Sequence, residues 1–216
     1  MYGALNEFLF SLPVGANAAF VDLYAPSTIT FPVARIGATV NFTVVTQWPY
    51  GTDVEVLVST QPPVTAKLDL ALRVPAWLAA DSMPVLLNGA PAAQGQPGSY
   101  LHVAVPQSLP DVQKLTFSLP MAFVAHFYSG DTQIRPYNRW GYTYGPILLA
   151  CVGPWDSTLN AVTLPLSIAE PSEPDSWLLP TEQPLHFVVN GLPDHVFIPY
   201  GEVPSGVLFS VYPVFV

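Results

Sequence analysis

The sequence predicts an all-β protein, an antiparallel β-sandwich of jelly-roll type with one short N-terminal helix. Proline occupies 25 of the 216 positions, and each internal proline would remove a helix hydrogen bond and clash with the preceding turn. Half of the residues are hydrophobic and 12% are aromatic, a composition that argues against disorder. Short alternating runs separated by turn-forming residues complete the pattern, which is typical of two packed antiparallel sheets.

The segment 1–12 is the one predicted helix. Its apolar residues Leu5, Phe8, Leu9 and Leu12 recur at helical spacing, and Pro13 ends the segment. From residue 20 onward the apolar period changes to two, as in strands with one buried face. The alternating runs are 40–44, 54–58, 67–74, 101–105, 115–119, 185–189 and 207–211.

The run 67–74 shows the clearest alternation. Its apolar positions are Leu68, Leu70, Leu72 and Val74, and they alternate with the charged residues Lys67, Asp69 and Arg73. A shift of one residue in register would bury those charges at a cost of several kcal/mol each. We therefore expect the leucines to face the core and the charges to face solvent.

The chain is predicted to form a single sandwich module over residues 1–216. The stretch 170–184 contains four prolines and four acidic residues, which predicts a long surface loop before the final strands in 185–216. The roughly 30 residues after this loop are too few to fold alone. We therefore place no domain boundary there.

The charge balance excludes two classes of partner. Six basic residues against 15 acidic ones give a formal charge of −9, so the chain lacks the cations that nucleic acid or an anionic membrane surface requires. A membrane span is also excluded, because the longest apolar run, Ile147–Val152, has six residues against the roughly 20 that a spanning helix needs.

Few residues suggest catalytic or metal chemistry. Cys151 is the only cysteine, so it permits no internal disulfide and no cysteine-based zinc site. No two of the four histidines share a metal-ligand spacing on one element, and His102 and His186 fall at polar strand positions. We predict no metal or cofactor. A sequon at Asn41 favours an extracellular location without fixing the compartment.

An aromatic-rich stretch at 137–144 provides the candidate binding residues. Indole and phenol rings stack on the C–H faces of sugars, and arginine or asparagine donors meet the hydroxyls. In an extended strand every second residue shares a face, so the three aromatic candidates here would lie side by side. The alternative is that they plug one end of the sandwich. The candidates are Arg139, Trp140, Tyr142 and Tyr144, with Trp48 and Tyr50 as a second patch.

Ordered short motifs carry a family resemblance that spans nearly the whole chain. They are LYAPS (23–27), VTQWPYG (45–51), LALRVPAW (70–77), VLLNG (85–89), GSY (98–100), LPM (119–121), GPILLA (145–150), FIPYGEV (197–203) and SVYPVF (210–215). Together they resemble the C-terminal β region of β-L-arabinofuranosidase-type glycoside hydrolases, families 127 and 146.

The resemblance implies that catalysis in the family belongs to an (α/α)6 barrel that precedes the β region. There a zinc-bound cysteine serves as nucleophile and a glutamate as general acid. The segment 1–12 resembles the last helix of that barrel, and Cys151 matches none of the zinc ligands, so no catalytic residue is carried over to this sequence. The departures are a proline-rich 105–111 segment and the scarcity of basic residues.

These observations favour a non-catalytic β-sandwich module with a structural or carbohydrate-contacting role, and we do not predict turnover by this chain alone. Two alternatives stay open. One is a structural or assembly subunit of an extracellular polymer or surface structure, suggested by the apolar composition with only 10% charged residues. The other is a glycoside hydrolase completed by a barrel in another chain or an upstream segment.

Overall fold

The computed structural model describes residues 9–11, 18–33, 36–63, 67–106, 112–167 and 170–216. Within these ranges the regular structure is β-strand, apart from Leu9, Ile36 and two short 3-10 turns at Pro174–Ser176 and Tyr200–Glu202. The predicted all-β class is confirmed. No helix in these ranges is long and apolar enough to cross a membrane.

The chain divides into two compact units, Met1–Pro120 and Met121–Val216, called unit 1 and unit 2 below. The sequence pattern predicts no boundary at residue 120, and the single module over 1–216 stays a prediction. The strands of unit 1 are β1 (Phe10–Ser11), β2 (Ala18–Val21), β3 (Ser27–Val33), β4 (Ala38–Thr46), β5 (Asp53–Gln61), β6 (Lys67–Arg73), β7 (Met83–Leu87), β8 (Ala90–Gly95), β9 (Tyr100–Pro106) and β10 (Gln113–Ser118).

Unit 1 is a β-sandwich of two sheets. Four strands pair in the order β1-β2-β6-β9, and six pair in the order β3-β4-β5-β10-β7-β8. All of these pairings are antiparallel except the parallel pair of β2 and β6. The inward residues of both sheets, among them Phe42, Val56, Leu70, Val103 and Leu115, form one continuous hydrophobic core.

The predicted orientation of β6 is confirmed. Leu70 and Leu72 are fully buried, and Leu68 and Val74 nearly so. Lys67 and Arg73 are exposed, and Asp69 keeps 39% of its side chain in solvent. The alternation fixes this arrangement, because only one register places the leucines in the core.

The tight connection between β7 and β8 shows how a local motif sets the sheet. Asn88 and Gly89 both have positive φ, 51° and 83°, which the mirror-image turn of a two-residue hairpin requires. Asparagine and glycine are the residues that tolerate this region. The VLLNG motif therefore ends at a hairpin turn.

The helix predicted over 1–12 lies mostly outside the described residues. At Phe10 and Ser11 the structure corrects the prediction, because these residues form β1 and pair with Val21 and Phe20 of β2. Phe10 also stacks on Phe42 in the core of unit 1. Pairing with a neighbouring strand here prevails over a local helical pattern.

Unit 2 contains ten strands within the described residues. They are β11 (Phe123–Phe127), β12 (Asn138–Tyr144), β13 (Ile147–Val152), β14 (Trp155–Asp156), β15 (Ala161–Leu164), β16 (Leu178–Pro180), β17 (Phe187–Val189), β18 (Leu192–Pro199), β19 (Phe209–Ser210) and β20 (Val214–Phe215). They form one sheet in the order β14-β15-β20-β12-β13-β18-β17-β16, with β11 paired to β12 and β19 paired to β13.

The sheet of unit 2 lies against its own hydrophobic core. β12 pairs with β20 through Asn138 and Arg139 and with β13 through Tyr142 to Tyr144. The rings of Phe215, in β20, and Trp177, next to β16, have centroids 6.2 Å apart. Both rings belong, with Tyr142 and Phe197, to one buried cluster.

The acidic, proline-rich stretch 170–184 contributes to that core. Besides exposed residues, it contains the strand β16 and a fully enclosed Trp177, whose Nε1 donates a hydrogen bond to the carbonyl of Glu170 (2.7 Å). Pro171 and Pro174 are buried as well. The stretch predicted to be a surface loop is therefore anchored to unit 2 by a tryptophan.

Candidate functional site

The aromatic-rich stretch predicted to bind sugar forms β12. This strand pairs with β11, where Phe127 lies opposite Trp140 and Ala125 opposite Tyr142. Trp140, Tyr142 and Tyr144 share the face that points toward the core of unit 2. Their common face follows from the strand period, whereas the side on which it lies is decided by the packing of unit 2.

Tyr142 is a core residue. It is fully buried, and its hydroxyl donates to the carbonyl of Pro171 (2.9 Å). Burial is the main cause that raises the pKa of this phenol. A ring without accessible surface cannot stack on a sugar, so Tyr142 leaves the candidate set. Tyr144 packs between Phe123 and Phe187 and is half-buried.

Trp140 keeps part of its surface in solvent. It meets Phe127 edge to face, with ring centroids 5.2 Å apart, and Phe127 is 51% exposed. Among the residues that the structure describes, β11 pairs only with β12, so this ring pair lies on an outermost strand of the sheet. Asn138 is exposed two residues before Trp140, on the same face of β12. We call Phe127 and Trp140 the edge pair.

Arg139 points to the opposite face of β12 and is held there. Its Nη1 donates to the carbonyl of Thr132 (3.1 Å) and its Nε to that of Tyr212 (3.3 Å). The guanidinium lies 4.6 Å from the ring centroid of Tyr128. Tyr212 in turn covers Gly141, where a Cβ would stand 2.8 Å from its ring. Arg139 thus fixes an aromatic surface on the outer face of unit 2.

The second predicted patch lies at a turn of unit 1. Trp48 stacks on Trp77, with centroids 6.0 Å apart and ring planes inclined by 22°, and both rings are partly exposed. Tyr50, two residues on, is 57% exposed. Trp77 was not predicted to be a binding residue, although Trp77 is the last residue of the LALRVPAW motif.

The other sequence candidates are separated from one another. His102 contacts Asp69, His186 contacts Glu202, His126 contacts Thr143 and His195 contacts the carbonyl of Thr163. Asn41 lies in the middle of β4, where its Oδ1 accepts a hydrogen bond from Thr30 (2.7 Å). Glycosylation of Asn41 stays a prediction.

The described residues do not fit the zinc–cysteine site that the family resemblance implies. Cys151 is fully buried in the core of unit 2, and burial raises the pKa of its thiol. Across the ranges that the structure describes, no three His, Cys, Asp or Glu side chains stand close enough to hold a metal ion. No reaction step is therefore derived through zinc.

The burial of Cys151, Tyr24 and Tyr142 predicts loss of stability in alkali. Burial is the leading cause that raises the pKa of all three groups, so the unfolded chain ionises first, at about pH 8.5 for a thiol and 10 for a phenol. The stability that these neutral groups contribute is complete below about pH 8.5 and decreases as pH rises above it. We expect the melting temperature to decrease from pH 8 to 11, more shallowly in Cys151→Ala, and a constant value would contradict this.

A comparison with protein families finds a match over the first unit. Residues 18–121 match the profile described as "Beta-L-arabinofuranosidase, GH127 middle domain". The resemblance to the GH127 family is confirmed over this stretch. It covers strands β2 to β10, which are the two sheets of unit 1 without β1. A search of curated proteins finds no match.

Solved structures of glycoside hydrolases, two of them described as GH127, match nearly the whole chain. A GH127 β-L-arabinofuranosidase from Geobacillus stearothermophilus T6 shares 18% identity over 99% of this chain, with a TM-score of 0.61. A GH127 β-arabinofuranosidase shares 13% over 98% (TM-score 0.64), and a protein described as a glycoside hydrolase shares 15% over 96% (TM-score 0.62). This chain spans 36–37% of the length of those structures. At these identities the likeness concerns the fold.

The GH127-like motifs of unit 1 are tied together by hydrogen bonds. The Tyr24 hydroxyl, in LYAPS, donates to the carbonyl of Arg73 in LALRVPAW (2.7 Å). Gly98, in GSY, donates its N–H to the carbonyl of Val74 (2.9 Å), and the N–H of Val74 donates to the carbonyl of Ser99 (2.8 Å). These residues hold the turn at the ends of β6 and β9.

In unit 2 the last residue of LPM, Met121, lies against the first residue of GPILLA, Gly145. Gly145 donates its N–H to the carbonyl of Ala122 (2.9 Å) and has a positive φ of 56°. A Cβ at this glycine would stand 2.6 Å from the side chain of Met121, so both the backbone conformation and the close contact require glycine. Like the motifs of unit 1, these two maintain the fold.

Proposed function

We propose that this chain is a non-catalytic β module related to the GH127 β-L-arabinofuranosidases, and that it contacts carbohydrate through the edge pair. The observation that carries the proposal is the half-exposed Phe127 standing edge to face with the partly exposed Trp140. An exposed aromatic pair is the element that stacks on the C–H face of a sugar.

The surroundings of the edge pair supply polar partners. The exposed amide of Asn138 lies on the same face as Trp140, and it can both donate to and accept from sugar hydroxyls. Tyr137, one residue earlier, is 37% exposed. The site would therefore accept a neutral saccharide, with ring stacking supplying most of the affinity and the amide orienting the hydroxyls.

Replacing Phe127 with alanine tests this contact. Because Phe127 is half-exposed on an edge strand, we expect a small change in melting temperature and about tenfold weaker binding of an arabinofuranosyl oligosaccharide, corresponding to the loss of one stacked ring. Trp140→Ala should weaken binding by a similar factor. Its affinity has to be measured at a temperature at which the variant is still folded. Titration calorimetry provides the comparison.

Tyr200→Ala is the matched control, since Tyr200 is another half-exposed ring of unit 2 and contacts Phe209. It should bind the oligosaccharide like the parent chain. Equal affinity of the parent, Phe127→Ala and Trp140→Ala would rule out carbohydrate contact at the edge pair.

A second candidate function is a glycoside hydrolase completed by a separate barrel. The supporting observation is that this chain spans 36–37% of the length of the GH127-type structures that it matches. In that case the β module would support the barrel. Activity on a β-L-arabinofuranoside that appears only when a barrel chain is added would favour it.

An assembly subunit is the third possibility, suggested by the scarcity of charge on the chain. It requires self-association, because exposed apolar surface must be covered by other copies. Sedimentation of a strict monomer at high concentration would argue against it.

A further inference from the structure

The outer face of the four-stranded sheet in unit 1 holds a row of side chains that neither the edge pair nor the GH127 motifs explain. Phe20 of β2 and His102 of β9 lie on either side of Ala71 of β6 in the strand register. Their rings are 6.1 Å apart at 87°, and together they leave Ala71 without exposed surface. Tyr100 meets Phe20 from the next row, 5.3 Å away.

Polar groups surround these three rings. The carboxylate of Asp69 lies 3.0 Å from Nδ1 of His102. The Tyr100 hydroxyl donates to Asp22, and this hydrogen bond is the main cause that raises the pKa of Tyr100. Arg73, on β6, lies opposite Tyr100 in the strand register, and its Nη1 donates to the carbonyl of Asp22 (3.4 Å). Hydrogen-bond acceptors and donors thus lie next to the three aromatic rings.

The surface beside Asp69 is open. His102 and Asp69 keep 53% and 39% of their side chains in solvent, and Tyr100 is 43% exposed. The residue opposite Asp69 on β9 is Ala104, which is small and exposed. A ring of sugar size could rest over Ala104, against the imidazole, with its hydroxyls on the carboxylate of Asp69.

We propose that this outer face is a second carbohydrate-binding surface, in which the Phe20 and His102 rings contact the apolar side of a neutral saccharide and Asp69 accepts hydrogen bonds from its hydroxyls. Oδ2 of Asp69 already contacts Nδ1 of His102, but a carboxylate has about four acceptor positions, so it can also accept from hydroxyls of a sugar. Arg73 supplies donors at the other end of the row. This site uses none of the residues of the edge pair, so it extends the proposed function and does not rest on it.

The test is an NMR titration of the whole chain with methyl β-L-arabinofuranoside, following the ring signals of Tyr100 and His102, with glycerol as the control that lacks a ring. We expect saturable shifts with a Kd in the millimolar range, about 1–10 mM, as for weak binding of one small ligand. Asp69→Ala should weaken binding about tenfold or more, since a charged hydrogen-bond partner is lost. Phe20→Leu, which still covers Ala71, should weaken it several-fold.

Two control variants separate this site from other effects. Glu55→Gln removes an exposed carboxylate on the other sheet of unit 1 and should leave the Kd unchanged, as should Phe127→Ala. Shifts that do not saturate, that glycerol reproduces, or that persist unchanged in Asp69→Ala would overturn the proposal. The NMR titration could show saturable binding at this face while Phe127→Ala leaves the oligosaccharide affinity unchanged. That result would refute carbohydrate binding at the edge pair and leave the present proposal standing.

Discussion

Replacing Trp177 with alanine should reduce the free energy of unfolding by about 3–5 kcal/mol, the usual cost of removing a buried large aromatic side chain. Trp177 is 2% exposed and lies within 5.4–6.2 Å of the rings of Tyr142, Phe197 and Phe215, measured between centroids. Its Nε1 also donates to Glu170. The variant therefore loses both packing and the anchor of the 170–184 stretch.

Denaturant unfolding followed by circular dichroism measures this loss. Leu179→Ala is the control, because Leu179 lies two residues after Trp177, in β16, with 42% of its surface exposed, and it should change the free energy of unfolding by about 0.5 kcal/mol or less. If Trp177→Ala unfolds at the same denaturant concentration as the parent, the 170–184 stretch is not anchored as described.

Replacing Leu70 with aspartate should prevent unit 1 from folding. Leu70 is fully buried between the two sheets, and placing an unpaired carboxylate there would cost about 5 kcal/mol or more in lost packing and desolvation. That is comparable to the whole stability of many domains. Because unit 2 has an aromatic core of its own, the observed result would be loss of the part of the near-ultraviolet dichroism and of the cooperative transition that belongs to unit 1.

Lys67→Asp is the matched control on the same strand, since Lys67 is exposed. It should change stability by about 0.5 kcal/mol or less. A cooperative transition in Leu70→Asp close to that of the parent would show that the register of β6 is wrong.

Strand period predicted a large part of unit 1 from the sequence. The alternation in 67–74 identified both the strand and its buried side, because the polar positions there are charged and exclude the other orientation. In 137–144 the same rule placed Trp140, Tyr142 and Tyr144 on one face but could not orient it. The opposite face of β12 carries a single charge, Arg139, beside glycine and threonine, which is a weaker constraint than the three charges of 67–74. Burial there therefore depends on the partners of unit 2.

Features that depend on distant pairing were not accessible from local patterns. Phe10 belongs to β1 because of its pairing with Val21, although the surrounding residues have helical spacing. Trp177 lies in an acidic, proline-rich stretch without any period, and nothing local indicates that it is buried. Phe20 meets His102 only through the parallel pairing of β2 with β6 and the antiparallel pairing of β6 with β9.

Only some of the residues at the candidate site could be selected from the sequence. Trp140 was selected as a residue that stacks on sugar, and that role stays a prediction, whereas its partner Phe127 stands 13 residues earlier, in a run with the pattern of an ordinary hydrophobic strand. Arg139 was selected as a donor to sugar, and the structure shows it engaged with Thr132 and Tyr212. These pairs depend on the cross-strand register, which local sequence patterns do not determine.

The most direct test of the central claim is an assay of the purified chain with Zn²⁺ and an aryl β-L-arabinofuranoside. The account predicts no release of the aryl group above the buffer rate, because the one thiol of the chain, Cys151, is buried in the core of unit 2. Arabinose release that increases in proportion to the concentration of the pure chain would contradict the proposal of a non-catalytic module.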